Sequence, residues 1–224
     1  MNPLNILRDA FFFFSRNISL ITRLCLPLVV LECVTRAALT SQLDPAHAPA
    51  YGMLIGLVFY PLYSAALILL LDARSQNHRP RIRDLLAASL PIWPSFAVLA
   101  GLSTLLIMLA ASVFVLPALW VMVKLAFAEY LLVLRGLTPL QAMRESFQLT
   151  TGHFWSLLAC VLLVIVPLWL LDNSTLRLVG EQPDVIDRLL LDCVNSFLQL
   201  FSTVVLFRCF MLCTPQATQD STSH

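Results

Sequence analysis

Charged residues are scarce in this chain: Asp, Glu, Lys and Arg make up 12% of its 224 residues, whereas an average soluble domain has about 25%. The formal net charge is +1 and no basic block is present, which excludes a nucleic-acid-binding domain and a nucleic-acid partner. Apolar residues reach 59% and the mean hydropathy is +0.84. A soluble fold of this length could not bury so much apolar surface, so the composition predicts a protein that crosses a membrane several times.

Motifs that carry chemistry are also lacking. The sequence contains no GxSxG, no HExxH, no P-loop and no glycine-rich nucleotide turn. Its six cysteines lie within apolar runs without a CxxC pair, and its four histidines lie in unrelated segments. Because metal sites need clustered ligands, we expect no metal, no cofactor and no enzymatic activity.

Long apolar runs are what the chain has in abundance. A membrane span needs about 20 apolar residues, and six segments meet this requirement. They are residues 18–40, 51–71, 94–114, 116–134, 154–172 and 186–212. The third and fourth come from one uncharged stretch, and Pro117 predicts the break because proline removes a backbone donor. We expect residues 1–213 to form a single transmembrane domain, followed by a disordered cytoplasmic tail over 214–224.

The distribution of basic residues predicts the orientation. Ten of the fourteen Lys and Arg fall on one side of the proposed membrane: Arg8, Arg16, Arg23, Arg74, Arg79, Arg81, Arg83, Arg135, Arg144 and Arg208. Three fall on the other side, namely Arg36, Arg177 and Arg188, and Lys124 lies within a span. By the positive-inside rule, both termini and the loops around 72–93 and 135–153 are cytoplasmic.

A short pattern recurs three times along the chain. An arginine, an acidic residue and an apolar stretch precede a span by about ten residues at Arg8-Asp9, Arg83-Asp84 and Arg144-Glu145. We interpret these as three cytoplasmic amphipathic elbow helices, each followed by a transmembrane hairpin, although such dipeptides also arise by coincidence. The third elbow has the best local signals, because Thr138, Pro139 and Gln141 offer an N-cap, a proline at N1 and a capping box.

The segment from the fourth span to the third elbow carries a family resemblance. Its pattern is a proline-led span, a Gly-x-x-Pro-x-x-Ala elbow and a following run of spaced residues. These are Gly136, Pro139 and Ala142, then Ser146, Leu149, Thr150, Gly152 and Trp155. The segment resembles the YciC-like bacterial inner-membrane proteins, and is similar to the membrane domain attached to some glycerophosphodiester phosphodiesterases. The resemblance implies an all-α, six-span protein of the inner membrane and supplies no catalytic residues.

Polar side chains within the spans are the candidate functional residues. They are Glu32, Arg36, Lys124, Glu129, Arg188, Asp192, Asn195 and Gln199. A charge inside a span costs about 2.5–3.5 kcal/mol on insertion scales, so each needs a partner. Glu32 and Arg36 are spaced i, i+4 and can pair with each other. Lys124 and Glu129 do not share a helix face, so we expect each to have a partner on another helix, with Asp192 or Arg188 available, or to face a watery cavity.

The polar stripe on the last span, which includes Asp192, Asn195 and Gln199, predicts a helix that lines the interior of the bundle. Two interpretations follow. The residues either line a path for a solute, a proton or a lipid headgroup, or they form a closed interhelical network that fixes helix packing. Each hydrogen bond in such a network contributes about 0.6–2 kcal/mol.

Arginines near the cytoplasmic face form a second candidate group. Arg74, Arg79, Arg81, Arg83 and Arg144 are placed to attract anionic lipid headgroups, at about 1 kcal/mol each. The leading hypothesis is therefore a non-enzymatic membrane protein that contacts lipid or a partner protein, as an accessory to envelope lipid handling. The alternative is a small permease or lipid translocator that uses the polar residues of the fourth and sixth spans. The sequence carries no signal for the oligomeric state.

Overall fold

The structure is a computed structural model that describes residues 3–40, 48–178 and 185–214, with side-chain surroundings for 5–39, 50–170 and 191–214. Within these ranges the chain forms eight α-helices and no strand. They are α1 (Pro3–Thr40), α2 (Ala48–Ser75), α3 (Ile82–Val113), α4 (Val115–Leu125), α5 (Ala128–Arg135), α6 (Pro139–Thr151), α7 (Phe154–Leu178) and α8 (Val185–Cys213). The predicted disordered tail from 215 onward lies outside the described residues.

Most of these helices are long and apolar enough to cross a membrane. Five segments meet this requirement alone: Asn5–Leu39, Ala50–Ser75, Ile82–Val113, Val115–Arg135 and Leu191–Cys213. Helices α6 and α7 meet it together, but they are bent by 105° with respect to each other. The predicted all-helical, apolar architecture is confirmed, and the helices fit a polytopic membrane protein. Only 17% of the most apolar window of α3 is buried within the protein, so most of that helix is left to contact lipid.

The long uncharged stretch divides into two helices just before Pro117. Helix α3 ends at Val113, and Phe114 has extended backbone angles (φ −170°, ψ 160°). Helix α4 begins at Val115, which places Pro117 in its first turn, where the missing N–H needs no helical partner. Helices α3 and α4 then pack against each other. The break occurs where the proline predicts it.

The prediction of separate elbow helices is wrong for the first two repeats. The expected elbow at Arg8-Asp9 is part of α1, and the one at Arg83-Asp84 is part of α3. No glycine interrupts either stretch, and α3 continues through its two internal prolines, Pro91 and Pro94. The N-terminal turns of α1 also pack against α8, where the Phe14 ring lies 5.5 Å from the Phe201 ring. An Arg–acid pair marks contact with water, but it contains nothing that ends a helix.

The third elbow, α6, is a separate helix. The Thr138–Gln141 capping box and Pro139 begin it, as the sequence predicts. Gly136 ends α5 in the left-handed region (φ 64°), which glycine adopts without strain. Helix α6 packs on α4 and α5 before the chain bends into α7.

A buried serine joins α6 to a break in the fourth span. Helices α4 and α5 are separated at Ala126 and Phe127, and the backbone near this break needs hydrogen-bond partners. The Ser146 hydroxyl donates to the Lys124 carbonyl oxygen (2.7 Å) and accepts from the Phe127 N–H (3.1 Å). Ser146 is fully buried. Its side chain therefore satisfies the broken span and fixes α6 against it.

Candidate functional site

Most of the predicted intramembrane polar residues line one cavity. The cavity has a volume of about 780 Å³ and lies between α1, α2, α3, α5 and α8. Six of the eight predicted residues line it: Glu32, Arg36, Glu129, Asp192, Asn195 and Gln199. Lys124 is not among its lining residues, and the side chain of Arg188 lies outside the described residues. The sequence thus identified the lining of a cavity whose size it could not indicate.

One wall of the cavity carries an ion pair. Arg36 Nη2 donates to Glu32 Oε1 at 2.8 Å, as the i, i+4 spacing predicts. The Glu32 side chain is nearly buried, while that of Arg36 is 39% exposed. The second carboxylate oxygen of Glu32, Oε2, is buried, and no described residue makes a full hydrogen bond to it, although the Tyr63 hydroxyl lies beside this carboxylate. An acceptor of this kind is available to a donor on a bound molecule.

Two glycines of α2 give this ion pair room. The structure places Gly52 beside Arg36, and Gly56 beside both Arg36 and Glu32. A Cβ added at Gly56 would lie 3.8 Å from Arg36 Nη2 and 3.8 Å from Glu32 Oε1. The absence of side chains at these positions therefore leaves the cavity open beside the charged groups.

The second charged element of the cavity is Glu129. The Tyr60 hydroxyl of α2 lies 2.8 Å and 2.9 Å from the two carboxylate oxygens of Glu129, to which it donates. Tyr60 is held in place by edge contacts with the rings of Tyr63 and Phe96. Glu129 therefore has a partner on another helix and also lines a cavity, the two alternatives that the sequence left open. Nothing in the sequence spacing indicated Tyr60, because a tyrosine within an apolar span looks like any other core aromatic residue.

Glu129 also borders a second, smaller cavity of about 230 Å³. Most of its walls are apolar, with Leu125, Val161 and Leu206 among them. The two cavities share four lining residues: Tyr60, Ser103, Ile107 and Glu129. Both cavities have mostly apolar walls, the larger one is also lined by Glu32 and Arg36, and the Tyr60–Glu129 pair lies where the two cavities meet.

Lys124 belongs to a different part of the protein. Its ammonium group donates to Thr151 Oγ1 at 2.9 Å and lies 5.8–5.9 Å from the ring centroids of Trp120, Phe147 and Phe154. None of the three salt bridges found among the described residues involves Lys124. Lys124 thus has a partner on another helix, as expected, but on α6 and not on α8. Helices α4, α6 and α7 each supply one of the three rings, whose faces attract a cation without a carboxylate.

The five predicted lipid-contact arginines do not form one group. Arg74 and Arg79 line a cleft of about 550 Å³ together with Arg16 of α1. Arg81, Arg83 and Arg144 are exposed and do not line that cleft. No sequence pattern associates Arg16 with the α2–α3 loop, since that proximity depends on how α1 packs against α2.

No arrangement for metal binding is present in the described ranges: no three His, Cys, Asp or Glu side chains there are grouped to hold an ion. The described cysteines are all free thiols. The groups that line the two cavities offer hydrogen bonds, charge and apolar contact to a bound molecule.

Comparison with known proteins finds relatives in one group. The chain is 25% identical over 192 residues to the UPF0259 membrane proteins of Yersinia pestis (strain Pestoides F) and Yersinia pseudotuberculosis serotype O:3 (strain YPIII). Each alignment covers 84% of this chain and 73% of the relative. The name of these relatives states a membrane protein and no activity. No family model and no solved structure matches the chain.

Proposed function

We propose that this integral membrane protein is a non-enzymatic lipid-handling protein that binds an amphipathic molecule in the cavity between α1, α2, α3, α5 and α8. The observation that carries the proposal is the junction of two cavities at Tyr60 and Glu129, both with mostly apolar walls, of which the larger is also lined by the charged groups of Glu32 and Arg36. A lipid has the same two parts, a polar headgroup and an apolar chain.

The size of the cavity favours ligand binding over a closed packing network. Small-molecule pockets have volumes of about 300–1,000 Å³, and the larger cavity measures about 780 Å³. A network whose only role is to fix helix packing would have its polar groups in direct contact, because protein interiors are close-packed. Here two separate hydrogen-bonded pairs, Glu32–Arg36 and Tyr60–Glu129, face a shared space.

The charges of the lining indicate which headgroup fits. Among the lining residues that the structure describes, the carboxylates of Glu32 and Glu129 face the cavity together with one guanidinium group, that of Arg36. A headgroup with N–H donors and a positive charge matches this balance, and the amine of phosphatidylethanolamine is of that kind. The headgroup amine would lie against Glu32 Oε2 or Glu129, and an acyl chain would occupy the smaller cavity.

The location and the membrane topology of the protein are also part of the proposal. We place the protein in a bacterial inner membrane with six spans and both termini in the cytoplasm, on the distribution of arginines. Membership of the YciC-like family, the link to the phosphodiesterase membrane domain and contact with a partner protein stay predictions.

Lipid retention tests the proposal. The protein is purified from vesicles of phosphatidylethanolamine and phosphatidylglycerol, and native mass spectrometry counts the lipids it retains. We expect the double variant Tyr60→Phe/Glu129→Gln to bind phosphatidylethanolamine at least about tenfold more weakly, because it loses a charged acceptor and its partner. Gly56→Leu should have a similar effect by filling the space beside Arg36.

The matched control is Glu145→Gln. It removes the same charge from a carboxylate that pairs with Arg135 at the surface, at 3.1 Å, away from both cavities. The control should retain phosphatidylethanolamine as the unaltered protein does. Equal retention by the unaltered protein, the double variant and Gly56→Leu would overturn the proposal.

A lipid translocator is the second candidate, favoured by the same junction, since a translocated lipid needs a polar path for its headgroup within the bundle. Vesicles that contain the protein and a fluorescent phosphatidylethanolamine report translocation through dithionite quenching of the outer leaflet. Quenching beyond half of the label, lost in Tyr60→Phe/Glu129→Gln, supports translocation. Quenching equal to that of empty vesicles excludes it.

A further inference from the structure

A cleft lined by three arginines lies apart from the cavity in the bundle. It has a volume of about 550 Å³ and is lined by residues of α1 and of the α2 end and α2–α3 loop. The lining residues are Phe12, Phe13, Arg16, Asn17, Arg74, Asn77 and Arg79. It shares no lining residue with either of the other two cavities.

The loop that forms one wall of the cleft is held by its own hydrogen bonds. The His78 N–H donates to the Ala73 carbonyl oxygen at 2.8 Å, and the Asn77 N–H donates to that of Arg74 at 3.2 Å. Asn77 has a positive φ of 61°, a conformation that asparagine adopts more readily than most residues. The loop therefore presents Arg74, Asn77 and Arg79 in a fixed arrangement toward α1.

The charge of the cleft is not balanced within the described residues. No carboxylate lines it, and none of its three arginines takes part in a salt bridge there. The neighbouring Asp72 accepts from Gln76 Nε2 at 2.9 Å. Arg74 Nε is buried without a hydrogen-bond partner in the described part of the chain. Buried guanidinium donors are normally paired, and no residue in the described ranges supplies a partner for this one.

We propose that the cleft between α1 and the α2–α3 loop binds the phosphate group of an anionic phospholipid, with Arg16, Arg74 and Arg79 as its donors. Arginine suits phosphate because its planar fork of N–H groups can donate two parallel bonds to one oxygen pair. The two asparagines, Asn17 and Asn77, offer amide groups beside them.

The phenylalanines indicate a lipid as the source of the phosphate. Phe12 lines the cleft and is 66% exposed, and its neighbour Phe11 is 62% exposed. Aromatic rings at this position suit the headgroup boundary of a membrane, where acyl chains cover them. A soluble phosphate compound would use the arginines alone and leave these rings in water.

The test compares two double variants with the same loss of charge. Arg74→Gln/Arg79→Gln removes two cleft arginines, and Arg81→Gln/Arg83→Gln removes two exposed arginines that do not line the cleft. The full-length protein is placed in phosphatidylcholine nanodiscs with increasing phosphatidylglycerol, and bound phosphatidylglycerol is counted by native mass spectrometry. We expect the cleft variant to bind phosphatidylglycerol at least about tenfold more weakly, and the loop variant to bind within about threefold of the unaltered protein.

Equal losses in the two double variants would overturn the proposal, because they would show general electrostatic attraction. Arg74→Lys gives a second measurement if the glutamine variants fold poorly. It keeps the charge and loses the fork, so binding should weaken while the protein still elutes as a single species. Retention of full affinity in Arg74→Lys would argue against a phosphate bound by the Arg74 guanidinium.

Inorganic phosphate distinguishes the two sources of the ligand. In phosphatidylcholine nanodiscs, phosphate at millimolar concentration should compete weakly with phosphatidylglycerol in the unaltered protein. Thermal stabilisation by phosphate alone, with no response to phosphatidylglycerol, would overturn the lipid assignment. Tyr60→Phe/Glu129→Gln should leave phosphatidylglycerol binding unchanged, so this site and the proposed function can fail independently.

Discussion

Replacing Ser146 by alanine tests the joint between α6 and the broken fourth span. The Ser146 hydroxyl makes two buried hydrogen bonds, one to the Lys124 carbonyl oxygen and one from the Phe127 N–H. The alanine variant leaves both backbone groups without this partner in a site that water does not reach. An unsatisfied buried polar group costs about 1–3 kcal/mol, and hydrogen bonds within membranes average about 0.6 kcal/mol. Two backbone groups are affected, and hydrogen bonds within membranes are weak. We therefore expect a cost toward the lower end of this range for each group, so that Ser146→Ala lowers the free energy of unfolding by about 2–4 kcal/mol.

The assay is heating in mild detergent, followed by size-exclusion chromatography with fluorescence detection. A loss of that size corresponds to a decrease of about 5 °C or more in the apparent midpoint for a chain of this length. The control is Ser112→Ala, because Ser112 is exposed and its hydroxyl bonds only to the Leu109 carbonyl oxygen within the same helix. If Ser146→Ala lowers the midpoint no more than Ser112→Ala, the serine does not hold the break and the reasoning fails.

Three further substitutions test the surroundings of this joint by the same assay. Lys124→Met should keep the midpoint within about 3 °C of that of the unaltered protein and leave phosphatidylethanolamine retention unchanged. The reason is that the ammonium has no salt-bridge partner among the described residues, and methionine packs well between aromatic rings. Reduced retention would instead connect Lys124 to the cavity. Gly136→Ala should destabilise the protein by about 1 kcal/mol, because φ is 64° there and no atom within 4 Å would clash. Gly152→Ala, at φ −80° and equally open, should change the midpoint little, and equal effects at the two glycines would contradict the backbone explanation.

The sequence predicted those features that depend on a single helix, namely which residues share a face, which can pair within one helix and which segments form long apolar helices. The three- and four-residue spacing of Asp192, Asn195 and Gln199 places them on one face, and that face lines the cavity. The i, i+4 spacing of Glu32 and Arg36 similarly predicts an ion pair within one helix, and this ion pair forms. Hydrophobic length predicted the apolar helices for the same reason, since a span is a property of a continuous segment.

Features that depend on contact between distant helices were missed. Lys124 contacts Thr151 because α6 folds back on α4, and no pattern within either segment specifies that contact. The first two elbows were predicted from an Arg–acid pair and an apolar stretch before a span, and neither feature ends a helix. Residues 138–152 begin with a capping box and end at a glycine. The stretch after Arg8 has no glycine, and its Ser15 and Asn17 side chains bond to carbonyl oxygens four residues earlier within α1.

The third elbow has a consequence for the cavity. Ser146 binds the backbone at Phe127, two residues before Glu129, and so helps to set where α5 begins. Glu129 lies in the first turn of α5, where its carboxylate accepts from Tyr60 at the junction of the two cavities. A shift of α5 would therefore separate the carboxylate from the hydroxyl without touching either residue. The elbow helix α6 thus positions the Glu129 carboxylate. This role explains why α6, which lines neither cavity, packs closely on α5, which contributes Glu129 to both.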